Sequence, residues 1–403
     1  MAAETPDYKD TLNLPKTDFP MRAGLPKREP EWLERWAKIG IYDKLREKAS
    51  GRAPFTLHDG PPYANGHLHI GHALNKILKD MVVRSQQMMG KDARYIPGWD
   101  CHGLPIEWKI EEKYRQKGRD KDAVPVVEFR KECRDFAAGW IDIQRDEFKR
   151  LGVTGKWSKP YLTMDFHAER VIAEEFQNFL MSGVLYQGSK PVMWSPVEKT
   201  ALAEAEVEYH DRQTDAIWVK FPVVASDVDI FQKAKTQVVI WTTTPWTIPQ
   251  NRAICFGPEI SYGLYEVTGR PQECWATIGD RYILADELAE DALGAARLEP
   301  SMYRRLDTVS AAELAGLTCA HPFRAAEGAD GEWDFDVPLL PGDHVTDDAG
   351  TGFVHTAPSH GDDDYAIGVK HKLPMTFNIL DDSSYREDLP FFAGEKIIQP
   401  NGK

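Results

Sequence analysis

The chain has 403 residues, of which 42% are hydrophobic and 28% are charged, a composition typical of a soluble globular protein. This length exceeds what one hydrophobic core usually organises, so we expect two or three domains. The formal net charge of −14 at pH 7 argues against a protein that binds nucleic acid mainly through general phosphate contacts, although a local basic patch would still be compatible with RNA.

Targeting and redox signals favour a cytoplasmic protein. No apolar stretch is long enough to cross a bilayer, and the first ten residues, MAAETPDYKD, carry acidic side chains without an apolar core, which argues against a secretory or transit peptide. None of the cysteines forms a C-x-x-C pair, so the sequence predicts reduced thiols and no thiolate zinc site. The cysteines are Cys101, Cys133, Cys255, Cys274 and Cys319.

The predicted elements, in chain order, divide the first half of the sequence into two parts. Residues 1–50 form an extension rich in proline and charge, with one helix predicted around 31–48. Residues 51–208 follow an α/β pattern, in which a strand at 55–58 leads through a Gly/Pro-rich turn into a helix that starts near Ile70. The further elements predicted here are a strand at 92–97 and helices at 127–150 and 165–181.

The second half, residues 209–403, predicts a β-rich inserted domain because short strands alternate with turn residues. No element is predicted for the last four residues, 400–403, and we expect the chain to be the N-terminal part of a longer one. The predicted strands cover 216–223, 238–242, 252–256, 262–267 and 352–355, and one helix is predicted at 285–293.

The turn at 58–66 leads directly into a histidine-rich helix start, H-L-H-I-G-H at 67–72. Free backbone N–H groups and the positive end of the helix dipole favour a polyanion at such a position. Gly71 would allow a nucleotide to approach the backbone, and His69 and His72, three residues apart, could donate to phosphate oxygens. The pattern therefore indicates a phosphate site.

Two other interpretations of these histidines remain open on spacing alone. They could be surface residues of an ordinary helix, or His67, His69 and His72 could bind zinc in a hydrolase. The zinc interpretation lacks a carboxylate or cysteine ligand nearby in the sequence, and it leaves the Gly/Pro-rich turn unexplained.

Two segments resemble signatures of the class I aminoacyl-tRNA synthetases. Residues 62–72, P-Y-A-N-G-H-L-H-I-G-H, resemble the H-I-G-H region, and residues 98–107, G-W-D-C-H-G-L-P-I-E, are similar to a second signature of that family. Both match the isoleucine-specific members, whereas the valine and leucine members typically read differently. The resemblance extends from about residue 8 to about residue 391. It implies an α/β protein, with the first half of a Rossmann-type catalytic domain at 51–208 and an inserted β-rich editing domain at 209–403.

The resemblance implies an isoleucine–tRNA ligase that uses ATP with Mg²⁺, isoleucine and isoleucine tRNA, and that acts as a cytoplasmic monomer. His69 and His72 would be catalytic, through electrostatic stabilisation of the charge that develops during adenylate formation. Asp100 would pair with the α-ammonium of isoleucine; the alternative role for it is pinning its own turn. The residues expected at ATP are Asn65, Gly66, His69, Gly71 and His72, and those expected at isoleucine are Gly60, Pro61 and Asp100.

Two further blocks resemble the editing insertion of this family. A pocket shaped for isoleucine rejects valine only weakly, because the two side chains differ by one methylene, so a second hydrolytic pocket is needed. The blocks are W-T-T-T-P-W-T at 241–247 and G-T-G-F-V-H-T-A-P-S-H-G-D-D-D-Y at 350–365, the latter expected to end in an acidic loop. Asp364 would hold the amino group of misattached valine. The other editing residues expected are Thr242, Thr243, Thr244, Asn251 and His355.

The sequence also departs from the family. Some members carry a cysteine pair where this chain reads S-P-V-E at 195–198, so we expect no zinc there, although a site further along a longer chain stays possible. The K-M-S-K-S loop is absent, so we do not expect the chain alone to activate an amino acid. Besides the ligase, three functions remain: a stand-alone editing deacylase formed by residues after about 209, the zinc hydrolase, and a tRNA-binding piece without catalysis.

Overall fold

The computed structural model describes residues 8–13, 17–18, 22–232 and 236–398, and the chain forms two compact units, Met1–Tyr186 and Gln187–Lys403. The division into 1–50, 51–208 and 209–403 that the sequence predicts remains a proposal. Residues 400–403, for which no element is predicted, lie outside the described residues.

The first unit is mainly helical, with short strands between the helices. Its elements are α1 (Leu25–Ile39), α2 (Ile41–Lys48), β1 (Pro54–Thr56), α3 (Ile70–Met88), β2 (Asp92–Arg94), β3 (Gly98–Trp99), α4 (Leu104–Gln116), α5 (Val126–Arg150), β4 (Tyr161–Leu162) and α6 (Phe166–Met181).

The single helix predicted around 31–48 is in fact two helices. The first begins earlier, at Leu25, where a proline occupies the first turn. It ends at Gly40, whose φ of 61° is left-handed and whose N–H bonds back to the carbonyls of Ala37 and Trp36. Glycine adopts this conformation at little cost, so Gly40 closes α1 and the chain turns before α2.

A β–α–β unit carries the histidine-rich segment. Strands β1 and β2 pair in parallel, with Phe55 opposite Ala93, and α3 is the connection between them. A parallel pair needs such a crossover, and this arrangement places the N-terminus of a helix beyond the carboxyl end of a strand. The predicted α/β class is confirmed.

Helix α3 starts at the predicted residue, but its apolar stripe does not face the core. Ile70 is 85% exposed and Leu74 and Met81 are also exposed, whereas Lys76 is only 3% exposed. Apolar spacing thus predicted the helix correctly and gave no information about its buried face. Nothing in the described part of α3 other than Lys76 and Val83 is fully buried.

The core of the first unit lies between α4, α5 and the short strands, around Trp99, Ile106, Ile141 and Phe148. Helix α4 was not predicted from the sequence. Gly103, with a φ of 92°, and Pro105 near the helix start are both typical of a helix that begins here.

The second unit is built on one sheet. Its elements are β5 (Trp194–Ser195), β6 (Thr200–Ala201), β7 (Ile217–Ala225), α7 (Asp229–Gln232), β8 (Thr236–Thr242), β9 (Ala253–Phe256), β10 (Tyr262–Val267), β11 (Arg281–Ala285), α8 (Ala289–Ala295), β12 (Tyr303–Val309), α9 (Ala311–Ala315), β13 (Thr318–Ala320), β14 (Asp336–Pro341), β15 (Phe353–Thr356) and α10 (Asp362–His371).

The nine-stranded mixed sheet has the order β12-β10-β11-β8-β7-β13-β14-β9-β15. Its strands are rich in β-branched and aromatic residues, which suit a sheet buried against a core. Phe221, Ile240, Ile254, Tyr262 and Phe353 belong to that core. Strand β15 pairs antiparallel with β9, so His355 lies opposite Ile254 at the sheet edge.

The acidic segment expected to be a loop is the first turn of α10. Asp362, Asp363 and Asp364 are its first three residues, and extended Gly361 precedes them. Carboxylates are favourable at a helix N-terminus, where they meet the positive end of the dipole, and this explains why three consecutive aspartates start a helix. Among the described helices, none is both long and apolar enough to cross a membrane.

Candidate functional site

The two signature segments of the first unit meet through backbone hydrogen bonds. The N–H of Asp100 donates to the carbonyl of Pro62 at 2.8 Å, and the N–H of Ala64 donates to the carbonyl of Asp100 at 2.9 Å. This pairing brings Asp100 beside the turn that contains Gly60 and Pro61. The structure therefore brings together the residues that the sequence predicts at isoleucine.

The Asp100 carboxylate has only weak partners. Its Oδ1 is 3.4 Å from the backbone nitrogen of His102 and 3.5 Å from Oγ1 of Thr163. Within the described residues it forms no ion pair, and the residue is half-buried. A carboxylate in this state can accept a charge-assisted hydrogen bond from an ammonium group.

His69 and His72 form the N-terminal cap of α3. Nδ1 of His69 accepts the N–H of Gly71 at 3.1 Å, and Nδ1 of His72 accepts the N–H of His69 at 3.3 Å. A neutral imidazole whose Nδ1 accepts carries its proton on Nε2. Both histidines therefore keep an Nε2–H donor, and their ring centroids lie 3.8 Å apart.

The environment keeps His72 neutral at pH 7. Burial lowers its pKa below the ordinary 6.5, and it is lowered further by His69 whenever that ring is protonated and by the charge of Lys76. A neutral imidazole donates through Nε2 without needing a proton from solvent.

Gly71 is required by the cap itself. A Cβ at this position would stand 2.9 Å from Cε1 and 3.0 Å from Nδ1 of His69. Any larger residue would push His69 out of its capping position. Close approach of a nucleotide to Gly71 remains a prediction.

A cluster of charged side chains holds Asp59, near the start of the 58–66 turn, against helix α3. Asp59 bonds to the ammonium groups of Lys76 and Lys79, and Oη of Tyr95 donates to its Oδ2 at 2.6 Å. Burial disfavours ionised Asp59, but these bonds outweigh that effect and its pKa is lowered. Two lysines against one aspartate leave an excess positive charge close to the helix start.

A cavity of about 250 Å³ lies at this helix start. Asn65 and Gly66 do not line it: Nδ2 of Asn65 donates to the carbonyl of Pro105 at 3.0 Å, and the carbonyl of Gly66 accepts from Gln144 at 2.8 Å. Both residues hold the turn in place. The cavity is lined by Gly60, Pro62, His69, Gly71, His72, Asn75 and Lys76.

The three histidines of 67–72 do not converge. His67 pairs with Glu147 at 2.5 Å, away from the ring pair of His69 and His72. In the part of the chain that the structure describes, no group of three or more His, Cys, Asp or Glu side chains is placed to hold a metal ion.

The second predicted site lies in the second unit, where a hydroxyl network ends strand β8. Oγ1 of Thr242 is 3.1 Å from Oγ1 of Thr244, and Oγ1 of Thr247 donates to the carbonyl of Thr244 at 2.8 Å. Thr247 also lies 2.9 Å from Nε2 of His355. The two predicted blocks are thereby connected. Thr243 is exposed, and its carbonyl accepts from Thr214.

His355 is buried and neutral. Burial lowers its pKa from 6.5 to about 4. The single hydroxyl proton of Thr247 is used on Thr244, so Nε2–H of His355 donates to Thr247. Nδ1 remains an acceptor that has no partner within the part of the chain that the structure describes. Asn251 is likewise buried: its Nδ2 donates to the carbonyl of Ala253 at 2.8 Å, and its Oδ1 has no partner among the described residues.

Asp364 and Asp362, in the first turn of α10, have different surroundings. Oδ1 of Asp364 accepts the N–H of Ala357 at 2.6 Å, and burial raises its pKa. Asp362 is exposed and lines a cavity of about 600 Å³. None of the six predicted editing residues lines that cavity.

Three residues near this site were not predicted. Trp246 and His360 line the 600 Å³ cavity and pack edge to face, with ring centroids 5.2 Å apart. Thr247 joins the hydroxyl network described above. All three lie within the sequence blocks 241–247 and 350–365, so those blocks were the sequence signal that could have identified them.

The fold agrees with the comparison to known protein families. Residues 31–315 match the model of the class I tRNA synthetases (I, L, M and V), and the chain belongs to that family. This supports the α/β class that the β–α–β unit defines.

The curated relatives that match this chain are named isoleucine–tRNA ligases. The isoleucine–tRNA ligase of Ruegeria pomeroyi is 66% identical over 99% of this chain, and that of Agrobacterium fabrum is 56% identical over all of it. The chain spans 41% and 42% of their lengths. Among solved structures, a LeuRS–tRNA–LeuAMS complex of Agrobacterium radiobacter K84 aligns with 88% of this chain and 44% of its own chain at 20% identity, with a TM-score of 0.38.

Proposed function

We propose that this chain carries the ATP and isoleucine sites of an isoleucine–tRNA ligase. The observation that carries the proposal is the junction of the two signature segments, where Asp100 bonds to Pro62 and Ala64 next to the capped start of α3. The names of the relatives, isoleucine–tRNA ligases, support the same activity and amino acid.

The proposed chemistry is electrostatic. ATP, bound with Mg²⁺ as substrate, would place its phosphates at the helix start, where backbone N–H groups, the Nε2–H donors of His69 and His72 and the excess charge near Lys76 meet it. Asp100 would hold the α-ammonium of isoleucine. The carboxylate of isoleucine would then attack the α-phosphate of ATP, and pyrophosphate would leave. The adenylate would then pass its acyl group to isoleucine tRNA.

A chimera tests this proposal. Residues 1–403 are joined to the remainder of the Ruegeria pomeroyi enzyme, and ATP–pyrophosphate exchange is measured with isoleucine, valine, leucine and methionine. We expect exchange that prefers isoleucine, and little exchange by the 403-residue chain alone because the K-M-S-K-S loop is missing. A chimera that prefers another amino acid would refute the assignment of isoleucine.

A second activity, hydrolysis of misattached valine, is proposed for the second unit. It is favoured by the network that joins Thr242, Thr244 and Thr247, at and after the end of β8, to His355 on β15. No serine or cysteine nucleophile is paired with a histidine there among the described residues, so we propose direct attack by water. Release of valine from preformed valyl-tRNA bearing the isoleucine anticodon tests it, and an unchanged rate relative to buffer would refute it.

The partners follow from these activities: isoleucine, ATP and isoleucine tRNA. We also propose a monomer located in the cytoplasm. Sedimentation of the purified chain would test the monomer, since a stable dimer would sediment at twice the mass.

A further inference from the structure

One side chain of α5 joins both signature segments. Gln144 is fully buried, and its Nε2 donates to the carbonyl of Tyr63 at 3.1 Å and to that of Gly66 at 2.8 Å. Its Oε1 accepts Nε1–H of Trp99 at 2.9 Å. A single amide therefore holds the first signature against the second.

Glu147 is a second side chain of α5 that contacts this segment, through His67 and Leu68. Oε1 of Glu147 is 2.5 Å from Nδ1 of His67, and its Oε2 accepts the N–H of Leu68 at 3.0 Å. Burial disfavours the ionised carboxylate, but the bonds from His67 and Leu68 outweigh burial and the pKa of Glu147 is lowered. Residues three apart share a helix face, so both side chains reach the turn from one side of α5.

An amide is the side chain that this position needs. Gly66 has a φ of 81°, and the turned backbone presents two carbonyls to α5 while Trp99 presents an N–H. Glutamine supplies two donors and one acceptor, whereas a carboxylate lacks the donors and an apolar side chain lacks both. A buried donor or acceptor left without a partner is unfavourable, so substitution here should loosen the turn.

We infer that Gln144 and Glu147 are positioning residues of the proposed activation site: they hold the turn at 63–68 so that the capped start of α3 faces ATP in one conformation. This inference rests on the proposed function. If the turn opened part of the time, the apparent affinity for ATP would fall by the fraction of molecules in the competent conformation.

The test for Gln144 is the substitution Gln144→Met, which keeps the length of the side chain and removes all three bonds. In the 403-residue chain, we expect the backbone amides of 63–69 to exchange with deuterium about tenfold faster. In the chimera, we expect the KM for ATP to rise about tenfold with a smaller change in kcat. Unchanged exchange and unchanged KM would overturn the inference.

Two control variants distinguish a loss of the hold on the 63–68 turn from a general loss of packing in the first unit. Ile110→Ala makes a cavity between α4 and α5, in a buried cluster that holds no residue of the turn, and Gln116→Met makes the same chemical change at an exposed position. We expect neither to raise the KM for ATP. If Ile110→Ala raised it as much as Gln144→Met, Gln144 would only pack the core and the inference would be wrong.

Glu147 offers a test by rescue. Glu147→Met removes both acceptors and should raise the KM for ATP by roughly tenfold, whereas Glu147→Gln keeps an acceptor for the Leu68 N–H and should restore most of the affinity. Equal defects in both variants would show that the charge of Glu147 matters and not its hold on the turn.

Failure of the proposed function would be visible separately. A wild-type chimera without exchange for any amino acid would refute the activation site. The deuterium exchange of 63–69 in wild-type and Gln144→Met chains would still show whether α5 holds the turn: faster exchange supports the contact, and equal exchange overturns it.

Discussion

Asp364 differs from Asp362 because it is half-buried and its carboxylate accepts the N–H of Ala357, while Asp362 is exposed. In the proposed editing site it also supplies the charge for the amino group of valine. Asp364→Asn keeps an oxygen for Ala357 and removes the charge. Because a charge-assisted bond contributes about 1.5–3 kcal/mol, we expect deacylation of valyl-tRNA to fall roughly ten- to a hundredfold.

The matched control for this prediction is Asp362→Asn, which changes an exposed aspartate of the same helix turn and should alter the rate little. Thermal unfolding of both variants shows whether the fold is kept. Equal loss in the two variants would indicate that the general acidity of the turn matters, and no loss in Asp364→Asn would remove Asp364 from the site.

The residues that position the activation site could not be read from the sequence. Gln144 and Glu147 lie about eighty positions from the turn they hold, inside a helix whose pattern is otherwise ordinary. His69, His72 and Asp100 were recognisable because they stand in short signatures with their own local chemistry. Contacts between distant elements depend on how those elements pack, and no local pattern records that.

Helix α3 is anchored by a buried ion pair, and this leads to a stability prediction. Lys76→Met should reduce the free energy of unfolding of the first unit by about 2 kcal/mol, because it leaves the buried Asp59 carboxylate with fewer partners. Lys79 and Tyr95 remain bonded to Asp59, so the loss should stay below that of a fully broken pair. The measurement is urea-induced loss of hydrogen-exchange protection at 70–88.

Lys79→Met is the comparison, since the Lys79 side chain is 22% exposed against 4% for Lys76. We expect it to cost about half as much, because a partly hydrated lysine contributes less to the pair. A larger loss for Lys79→Met than for Lys76→Met would show that the buried bond is not the anchor.

At the level of elements, the sequence predicted those with a clear local signal. The start of α3 at Ile70 and the strand Tyr262–Val267 are confirmed. Helix α10 was missed because three aspartates were interpreted by their polarity and not by their preference for a helix start. The exposed apolar stripe of α3 shows a second limit: periodicity identifies a helix, but the neighbours decide which side is buried.

Across the second unit, two buried histidines and one half-buried histidine predict how stability depends on pH. Burial lowers the pKa values of His321, His355 and His360 from 6.5 to about 4. Between these values the unfolded chain binds protons that the folded chain does not, so acidification favours unfolding. We expect the free energy of unfolding from urea titrations to fall as pH drops from 6.5 to 4, by roughly 1 kcal/mol per pH unit for each histidine, and to level off with respect to these groups below 4.

His321→Gln isolates one of these contributions, because His321 lies in an aromatic cluster against Trp333 and outside both proposed sites. The slope of stability against pH between 6.5 and 4 should decrease by about a third. His210→Gln, which makes the same change at an exposed histidine, is the matched control. An unchanged slope in His321→Gln would mean that burial does not hold this histidine neutral.

For the molecule as a whole, the central claim is that the junction at Asp100 binds the amino group of isoleucine during activation. The most direct measurement is isoleucine-dependent ATP–pyrophosphate exchange by the chimera with Asp100→Asn. We predict that the KM for isoleucine rises at least about tenfold while the KM for ATP stays within about twofold, because only the ammonium loses its charged partner. An unchanged KM for isoleucine would contradict the account and reduce Asp100 to a residue that holds its turn.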